Sequence, residues 1–404
     1  MVRLLLCAAF ALAALLPAAA AQSCEDGMAG DYPCTDVDLL AHLSLEVFEA
    51  ESGNDIWGWT DPETGSEYAL MGLNNGTAFV DISTPGAPVY LGKLPTATTA
   101  TVWRDVKVYR DHAFIVSEAP GHGMQVFDLA HLRDLALDAT PMTFEADAMY
   151  TGVGNTHNIV IDEDSGFAYL VGANGGGFEC NGGGLHMVDI RTMLEPTFAG
   201  CFDTDGYTHD AQCIVYDGPD TEYTGRQICF ASNEDTMTIA DVTDKAEPLL
   251  ISRVTYANPS YTHQGWLTDD RRYFVANDEL DGNASETTRS IIFDVSDLDN
   301  PDFVDFFFGP TAAIDHNLYI HGDLVWMSNY EAGLRINRID ADGSIEEVGY
   351  FDSYPASDET SFNGQWSNYP YFESGVVIAS DINGGLFILQ PEATRRTTGD
   401  ASRR

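Results

Sequence analysis

The sequence predicts an all-β fold of seven repeated units, and three observations support this. Apolar residues alternate with a period of two, β-branched and aromatic residues are frequent, and Gly, Asp, Asn and Pro separate the runs. A histidine precedes a β-like run four times, at His157, His209, His263 and His316. The intervals between successive histidines are 52, 54 and 53 residues. A repeat of about this period is typical of a β-propeller.

Seven positions begin an innermost strand. They are Asn54-Asp55, Arg104-Asp105, His157, His209, His263, His316 and Asn363-Gly364-Gln365. The seventh unit has only three β-like runs, at 365–371, 376–380 and 386–390, while a spare β-like segment, 39–48, precedes the first unit. Insertion of that segment beside the last run closes the circle and removes a free edge. We therefore predict a seven-bladed β-propeller whose last blade is closed by an N-terminal strand.

Within a unit, the third strand ends in an apolar-Asp-apolar pattern. The aspartates at this position are Asp81, Asp128, Asp189, Asp241 and Asp294. Aspartate in such turns accepts hydrogen bonds from the backbone just after it, so we predict a capping role. Prolines that follow several of these turns fit an exposed outer strand, where a missing N–H is tolerated.

The first 21 residues resemble a secretory signal. Arg3 precedes the apolar run 4–16, and Ala19-Ala20-Ala21 suits cleavage. An apolar run of about 13 residues is too short to span a bilayer. We predict a signal peptide at 1–21, a disulfide-linked segment at 22–37, the propeller at 38–390 and a polar tail at 391–404. The expected location is extracellular or periplasmic.

An exported chain keeps its cysteines as disulfides. Six cysteines remain once Cys7 leaves with the signal peptide. The simplest pairing joins Cys24 to Cys34, Cys180 to Cys201 and Cys213 to Cys229. Six cysteines allow 15 connectivities, so this pairing is a preference. The alternative is a thiolate metal site, but the sequence lacks the close CxxC-type pairs that such a site needs.

Acidic residues outnumber basic residues 63 to 19, which gives a formal net charge of −44. Only three residues are lysines: Lys93, Lys107 and Lys245. Nucleic acid and anionic membranes demand basic patches, so neither is an expected partner. The charge fits either adaptation to salty or calcium-rich surroundings or a simple self-repelling exterior. We expect a monomer without membrane insertion.

Several strings of the sequence resemble the choice-of-anchor B family of secreted and surface-attached bacterial proteins, whose units are related to LVIVD-type repeats. These strings are Asp55-Ile56-Trp57-Gly58-Trp59, Trp103-Arg104-Asp105-Val106-Lys107, His122-Gly123-Met124-Gln125-Val126-Phe127-Asp128, His209-Asp210-Ala211-Gln212-Cys213, His263-Gln264-Gly265-Trp266-Leu267 and Asp315-His316-Asn317-Leu318-Tyr319. The resemblance covers about residues 35–390. It implies a propeller with a variable C-terminal attachment signal and no established reaction. Residues 397–404 contain no apolar anchor or sorting motif, which favours free secretion.

A closed ring would bring His157, His209, His263 and His316 together at one axial opening. We predict them as ligands of a divalent metal, with zinc, manganese or iron suited to imidazole and carboxylate, and calcium suited to oxygen alone. The alternative is that each histidine only bonds a carbonyl or carboxylate of the next blade. Residues after second strands share this face with the strand entrances, which predicts a ligand-contacting rim of Arg104, Asp105, Glu118, His122, Glu234, Asp278, Glu331 and Asp381.

Two other groups of residues near the starts of the inner strands are predicted to be structural. We expect Arg104 and Asp105 to form an ion pair between blades rather than to bind an anionic ligand. Five tryptophans follow or flank the strand starts, and we predict them as core residues rather than a sugar-stacking platform: Trp57, Trp59, Trp103, Trp266 and Trp366.

The sequence contains no GxSxG, P-loop or HExxH motif. Two functional hypotheses remain. The first is an exported platform that binds a protein, glycan or small ligand, with a metal or ligand site at the axial rim. The second is a metal-dependent hydrolase in which Glu118 or Glu234 moves the proton.

Overall fold

The computed structural model describes residues 21–133, 135, 140–177, 180–281 and 287–395. Residues 1–20 of the predicted signal peptide and 396–404 of the predicted tail lie outside the described residues. Seven antiparallel sheets follow one another along the chain, and each has four strands that lead from the axis outward. The prediction of a seven-bladed β-propeller is confirmed.

The strands are given for blades 1 to 7 in order. The innermost strands are Gly53–Thr60, Arg104–Tyr109, Asn158–Asp162, Asp210–Val215, Thr262–Leu267, Leu318–His321 and Gln365–Tyr369. The second strands are Glu67–Leu73, His112–Ser117, Phe167–Val171, Gln227–Ser232, Tyr273–Asp278, Leu324–Ser328 and Val377–Asp381. The third strands are Gly76–Asp81, Met124–Asp128, Leu185–Asp189, Met237–Asp241, Arg289–Asp294, Leu334–Ile339 and Gly385–Pro391. The outer strands are Val89–Pro95, Ala148–Tyr150, Thr197–Phe202, Leu249–Val254, Asp302–Phe308, Ile345–Phe351 and Val37–Leu43.

Short strands extend blades 1 and 6 at their outer edges. Met142–Thr143 runs parallel to the outer strand of blade 1, and Met28–Ala29 with Tyr32–Thr35 extends blade 6. Among the described residues, 3₁₀ helices lie at Leu45–Phe48, Leu129–Leu132 and Asn181–Gly183.

An N-terminal strand closes the ring, as predicted. Val37–Leu43 pairs antiparallel with Gly385–Pro391. The strand is shorter than the predicted segment 39–48, because its second half forms the 3₁₀ helix Leu45–Phe48. That turn buries Phe48 against the ring of Tyr90, at a centroid distance of 5.1 Å.

Apolar cores lie between neighbouring blades, and polar side chains join the inner strands near the axis. Phe79 of blade 1 stacks on Phe127 of blade 2 at 4.7 Å. Closer to the axis, Asp105 accepts a hydrogen bond from the backbone of Ile159 in blade 3. Gln264 of blade 5 similarly accepts one from the backbone of Leu318 in blade 6. These contacts fix the inner strands, and therefore the residues at their entrances, relative to one another.

The five aspartates at the ends of third strands have the predicted capping role. Each accepts a hydrogen bond from the backbone N–H two residues later, at Ser83, Ala130, Arg191, Thr243 and Ser296.

Three disulfides form in the predicted pairing: Cys24–Cys34, Cys180–Cys201 and Cys213–Cys229. The last pair lies directly opposite across two strands of blade 4. Such bonds persist in oxidising compartments, which indicates an extracellular or periplasmic protein. Among the residues described, no helix is both long and apolar enough to cross a membrane.

Candidate functional site

Four imidazoles form a continuous row at the entrances of the inner strands of blades 3 to 6. The ring centroids of His157 and His209 are 4.3 Å apart, those of His209 and His263 are 4.0 Å apart, and those of His263 and His316 are 4.4 Å apart. The ring closure therefore gathers all four predicted metal ligands at one place.

In three of the histidines, one ring nitrogen bonds a neighbouring blade. Nδ1 of His157 donates to Glu118 Oε1 at 2.6 Å, and Nδ1 of His209 donates to the carbonyl of His263 at 2.9 Å. Nδ1 of His316 donates to the carbonyl of Trp366 at 2.6 Å. The blade contact that we considered as an alternative to metal binding thus exists, but it uses only Nδ1.

The Nε2 atoms of His157 and His209 lie 2.7 Å apart. Because Nδ1 of His209 donates to a carbonyl, the neutral ring presents a lone pair at Nε2. Burial, followed by the nearby His157, holds the pKa of His209 well below its ordinary value, so His209 is neutral. A proton carried by His157 or a bound cation must therefore lie between the two nitrogens.

Glu279 adds a carboxylate to the row. Its two oxygens lie 3.8 Å from His263 Nε2 and 3.7 Å from His316 Nε2, and it accepts a hydrogen bond from the Tyr330 hydroxyl. One ligand atom each from His209, His263 and Glu279 lies within 4.8 Å of the others. This set of nitrogen and oxygen donors suits zinc, manganese or iron better than calcium.

Burial sets the protonation of these groups. It holds the pKa of His263 well below its ordinary value, and His209 lowers it further. It lowers the pKa of His316 to about 3 and raises the pKa of Glu279 to about 7. His209, His263 and His316 are therefore neutral near pH 7, which is the form that binds metals.

A cavity of about 450 Å³ opens over the imidazole row. Its aromatic lining consists of Trp103, Tyr207, Tyr261, Tyr330, Phe362 and Trp366, and its aliphatic lining includes Val102, Leu280 and Ile382. Glu118 and Glu279 are its carboxylates. The volume is in the range of small-molecule sites.

The prediction that the five tryptophans are core residues holds for Trp59, and Trp57 and Trp266 are partly buried against cores between blades, but Trp103 and Trp366 are not core residues. Trp59 is 4% exposed, whereas Trp103 is 44% exposed and lines the axial cavity. Trp366 is half-buried and lines the same cavity, because the residues beside the strand entrances face the axis rather than a neighbouring blade. Trp57 and Trp266 line a second cavity of about 240 Å³, farther along the inner strands.

Beside that second cavity lies a buried charge cluster. Lys107 Nζ lies 2.6 Å from Asp105 and 3.0 Å from Asp55, and it is 4.7 Å from the ring centre of Trp57. Asp210 is close to this group, and burial together with Asp105 raises its pKa to about 7. Asp105 is thus an inter-blade contact and not a rim residue, which corrects the prediction.

Arg104 and His122 are also removed from the predicted rim. Both are fully buried, and Arg104 donates to His122 Nε2 at 3.0 Å and to the carbonyl of Leu73 at 3.1 Å. Burial, with the charge of Arg104, lowers the pKa of His122 to about 4. Arg104 therefore braces blades 1 and 2 through a carbonyl, and not through the predicted pairing with Asp105.

Three predicted rim carboxylates are held by their own loops. Asp278 accepts from the Tyr256 hydroxyl and from the backbone of Ser260. Glu331 accepts hydrogen bonds from Ser357, Glu359 and Asn363. Asp381 accepts them from Ser353, Asn383 and Gly384.

Glu118 and Glu279 are the carboxylates that reach the imidazoles. Glu279 follows Asp278 directly, and successive residues at a strand end point to opposite sides, so Glu279 faces the imidazoles and Asp278 does not. The remaining predicted rim residue, Glu234, is exposed. Burial and then the nearby charge of Glu234 raise the pKa of the cavity residue Tyr261 to about 12.

No protein-family model and no curated protein matches this chain. Similar solved structures include a protein from Lactobacillus plantarum, at 12% identity and a TM-score of 0.54, which covers 81% of this chain and 88% of that one. The β-propeller domain of Cps50 (Swd1) from Myceliophteria thermophila is similar at 13% identity and a TM-score of 0.52, over 84% of this chain and 96% of that one. At these identities the two likenesses show the propeller fold alone.

A periplasmic gluconolactonase, PpgL of Pseudomonas aeruginosa, is similar at 11% identity over 74% of this chain and 85% of that one. Its TM-score is 0.49, so this likeness supports no inference.

Proposed function

We propose that this exported propeller binds a divalent transition metal at the axial opening, through His157, His209, His263 and His316 with Glu279. The observation that carries the proposal is the approach of one ligand atom each from His209, His263 and Glu279 to within 4.8 Å of the others. The contacts at Nδ1 support it, because metal-binding imidazoles are usually oriented by a carbonyl or carboxylate at the other nitrogen.

The cavity beside the proposed metal site supports a second function, metal-dependent hydrolysis. A metal held by these residues would lower the pKa of a coordinated water, which is the chemistry that hydrolysis of an acyl or phosphoryl ester needs. Glu118 lies at the edge of the row and is about one third exposed, which suits a group that receives the proton of that water. Glu118 would then return this proton to the leaving group.

Metal analysis of protein purified without a histidine tag tests the first function. We expect about one equivalent of zinc, manganese or iron per chain, and its loss in His263→Ala. His131→Ala is the matched control, because His131 is an exposed histidine bonded to Asp147, away from the cavity. A folded protein that contains no metal and takes up none would refute the proposal.

An activity screen separates the two functions. Aryl esters, lactones and phosphate esters are offered to the metal-loaded protein with and without a chelator. Turnover that the chelator abolishes supports the hydrolase, and a metal-loaded protein without turnover leaves the binding function.

The choice-of-anchor B resemblance belongs to the same proposal. The strings around His209, His263 and His316 that carry the resemblance include three of the four proposed ligands. On this proposal the metal site is a property of those strings, and the partner is a small molecule in the axial cavity.

A further inference from the structure

Four exposed apolar side chains surround the mouth of the axial cavity. Val102, Trp103, Leu280 and Phe362 are 43%, 44%, 44% and 54% exposed, and all four line the cavity. They come from three blades, since Trp103 and Phe362 precede inner strands and Leu280 follows a second strand. We call these four residues the apolar collar. Apolar side chains gathered at a cavity mouth usually mark a binding site.

Aromatic rings lead from the collar to the imidazole row. Phe362 meets Tyr330 edge to face at a centroid distance of 5.4 Å, and Tyr330 lies 4.5 Å from His316. His316 in turn meets Trp366 at 5.0 Å. This packing holds the rings in fixed orientations, so a flat ring that enters the cavity meets preformed aromatic surfaces.

Much of the hydrogen-bonding capacity of the wall is already in use. The Tyr330 hydroxyl donates to Glu279, and Nδ1 of His316 donates to the carbonyl of Trp366. The carbonyl of Trp103 accepts from the Ser117 hydroxyl and the Glu118 backbone. The collar therefore offers ring faces and methyl groups, which suit an apolar ring better than the hydroxyl groups of a sugar.

The charge of the molecule disfavours anionic ligands. The formal net charge is −44, and Glu118 and Glu279 lie within the cavity itself. A negatively charged ligand is repelled during its approach. An uncharged ligand avoids this repulsion.

We infer that the axial cavity binds an uncharged organic ligand with a flat apolar ring, which packs inside the apolar collar and directs its polar group toward the imidazole row. The inference rests on the proposed function in that it names the ligand class of the same site. Ring packing on the collar does not itself require the metal.

Acetophenone is a suitable probe, because it is uncharged, carries a flat ring and a carbonyl, and is not hydrolysed. Its binding is measured by calorimetry and ligand-observed NMR, beside cyclohexyl methyl ketone, benzoate and methyl β-glucoside. We expect acetophenone to bind more tightly than each of the three. Equal or tighter binding of the cyclohexyl compound, the anion or the sugar would overturn the inferred ligand class.

Collar variants test the location of binding. Phe362→Ala and Trp103→Ala are expected to weaken acetophenone binding about three- to tenfold, the range of a lost aromatic contact. Phe308→Ala is the matched control, since Phe308 is 56% exposed on the outer strand of blade 5. Equal effects of Phe362→Ala and Phe308→Ala would overturn the inference.

Metal content measured on the same proteins separates this inference from the proposed function. Phe362→Ala is expected to retain zinc, and His263→Ala to lose it. A chain that binds zinc but not acetophenone overturns only the ligand class. A chain that binds acetophenone in the cavity but takes up no zinc overturns only the metal proposal.

Discussion

The contact between Glu118 and His157 gives a sharp test of the metal site. Glu118 Oε1 accepts a hydrogen bond of 2.6 Å from His157 Nδ1, on the far side of the ring from the nitrogen that faces His209. A carboxylate in this position orients the imidazole and makes its free nitrogen a stronger ligand. Glu118→Gln keeps the size and one acceptor of the side chain but removes its charge.

The expected loss follows from the role of that contact. Replacing a group that supports a metal-binding histidine typically lowers metal affinity 10- to 100-fold. Because glutamine still accepts the hydrogen bond, we expect the lower end, a zinc affinity about tenfold weaker, or about 1.4 kcal/mol. The measurement is a competition titration of metal-free protein against a chromophoric zinc chelator.

Glu234→Gln is the matched control for the loss of charge. Glu234 is an exposed carboxylate beside the same cavity, and none of its described contacts is a hydrogen bond to an imidazole. At 0.15 M salt, screening acts over about 8 Å, so we expect its effect to stay below about twofold. Equal losses in both variants, or an unchanged affinity in Glu118→Gln, would refute the orienting role of Glu118.

Three further outcomes are expected. Lys107→Met leaves the buried Asp105 without its cation and should lower the free energy of unfolding in urea at pH 7 by about 3–5 kcal/mol. Arg338→Met, at an exposed ion pair, should lower it by less than about 1 kcal/mol. Equal losses in the two variants contradict this reasoning. Burial raises the folded-state pKa of Asp352 to about 6, so its ionisation weakens the fold as pH rises from about 4 through 6. Asp352→Asn should therefore gain up to about 2–3 kcal/mol at pH 8 and almost nothing at pH 4, and a pH-independent gain contradicts the shift. Deletion of 22–43 removes Val37–Leu43 and should lower the melting temperature and cause association in light scattering, and a variant that stays monomeric contradicts this.

The ring and its closure were predictable because they depend on order along the chain. The spacing from His157 to His316 reports the repeat, and one spare strand with one missing strand reports the closure. The convergence of the histidines follows from the ring alone. Which nitrogen faces the axis depends on carbonyls of other blades, and the sequence does not contain that information.

The errors arose where one position or one loop decides the direction of a side chain. Asp278 and Glu279 are adjacent, and only the end point of the strand determines which of them faces the imidazoles. His122 lies between Gly121 and Gly123, which are typical of an exposed loop, yet the loop folds inward and buries His122 beside Arg104. Trp103 is a large apolar residue of the kind expected in a core, but it is exposed, and the core between blades 1 and 2 begins after it on this strand.

The pairing of Val37–Leu43 with Gly385–Pro391 has a consequence for biosynthesis. Until these two strands pair, the ring is open and each of them has an unpaired edge. Such edges can pair with those of a neighbouring molecule. The net charge of −44 opposes this association while the ring is still open.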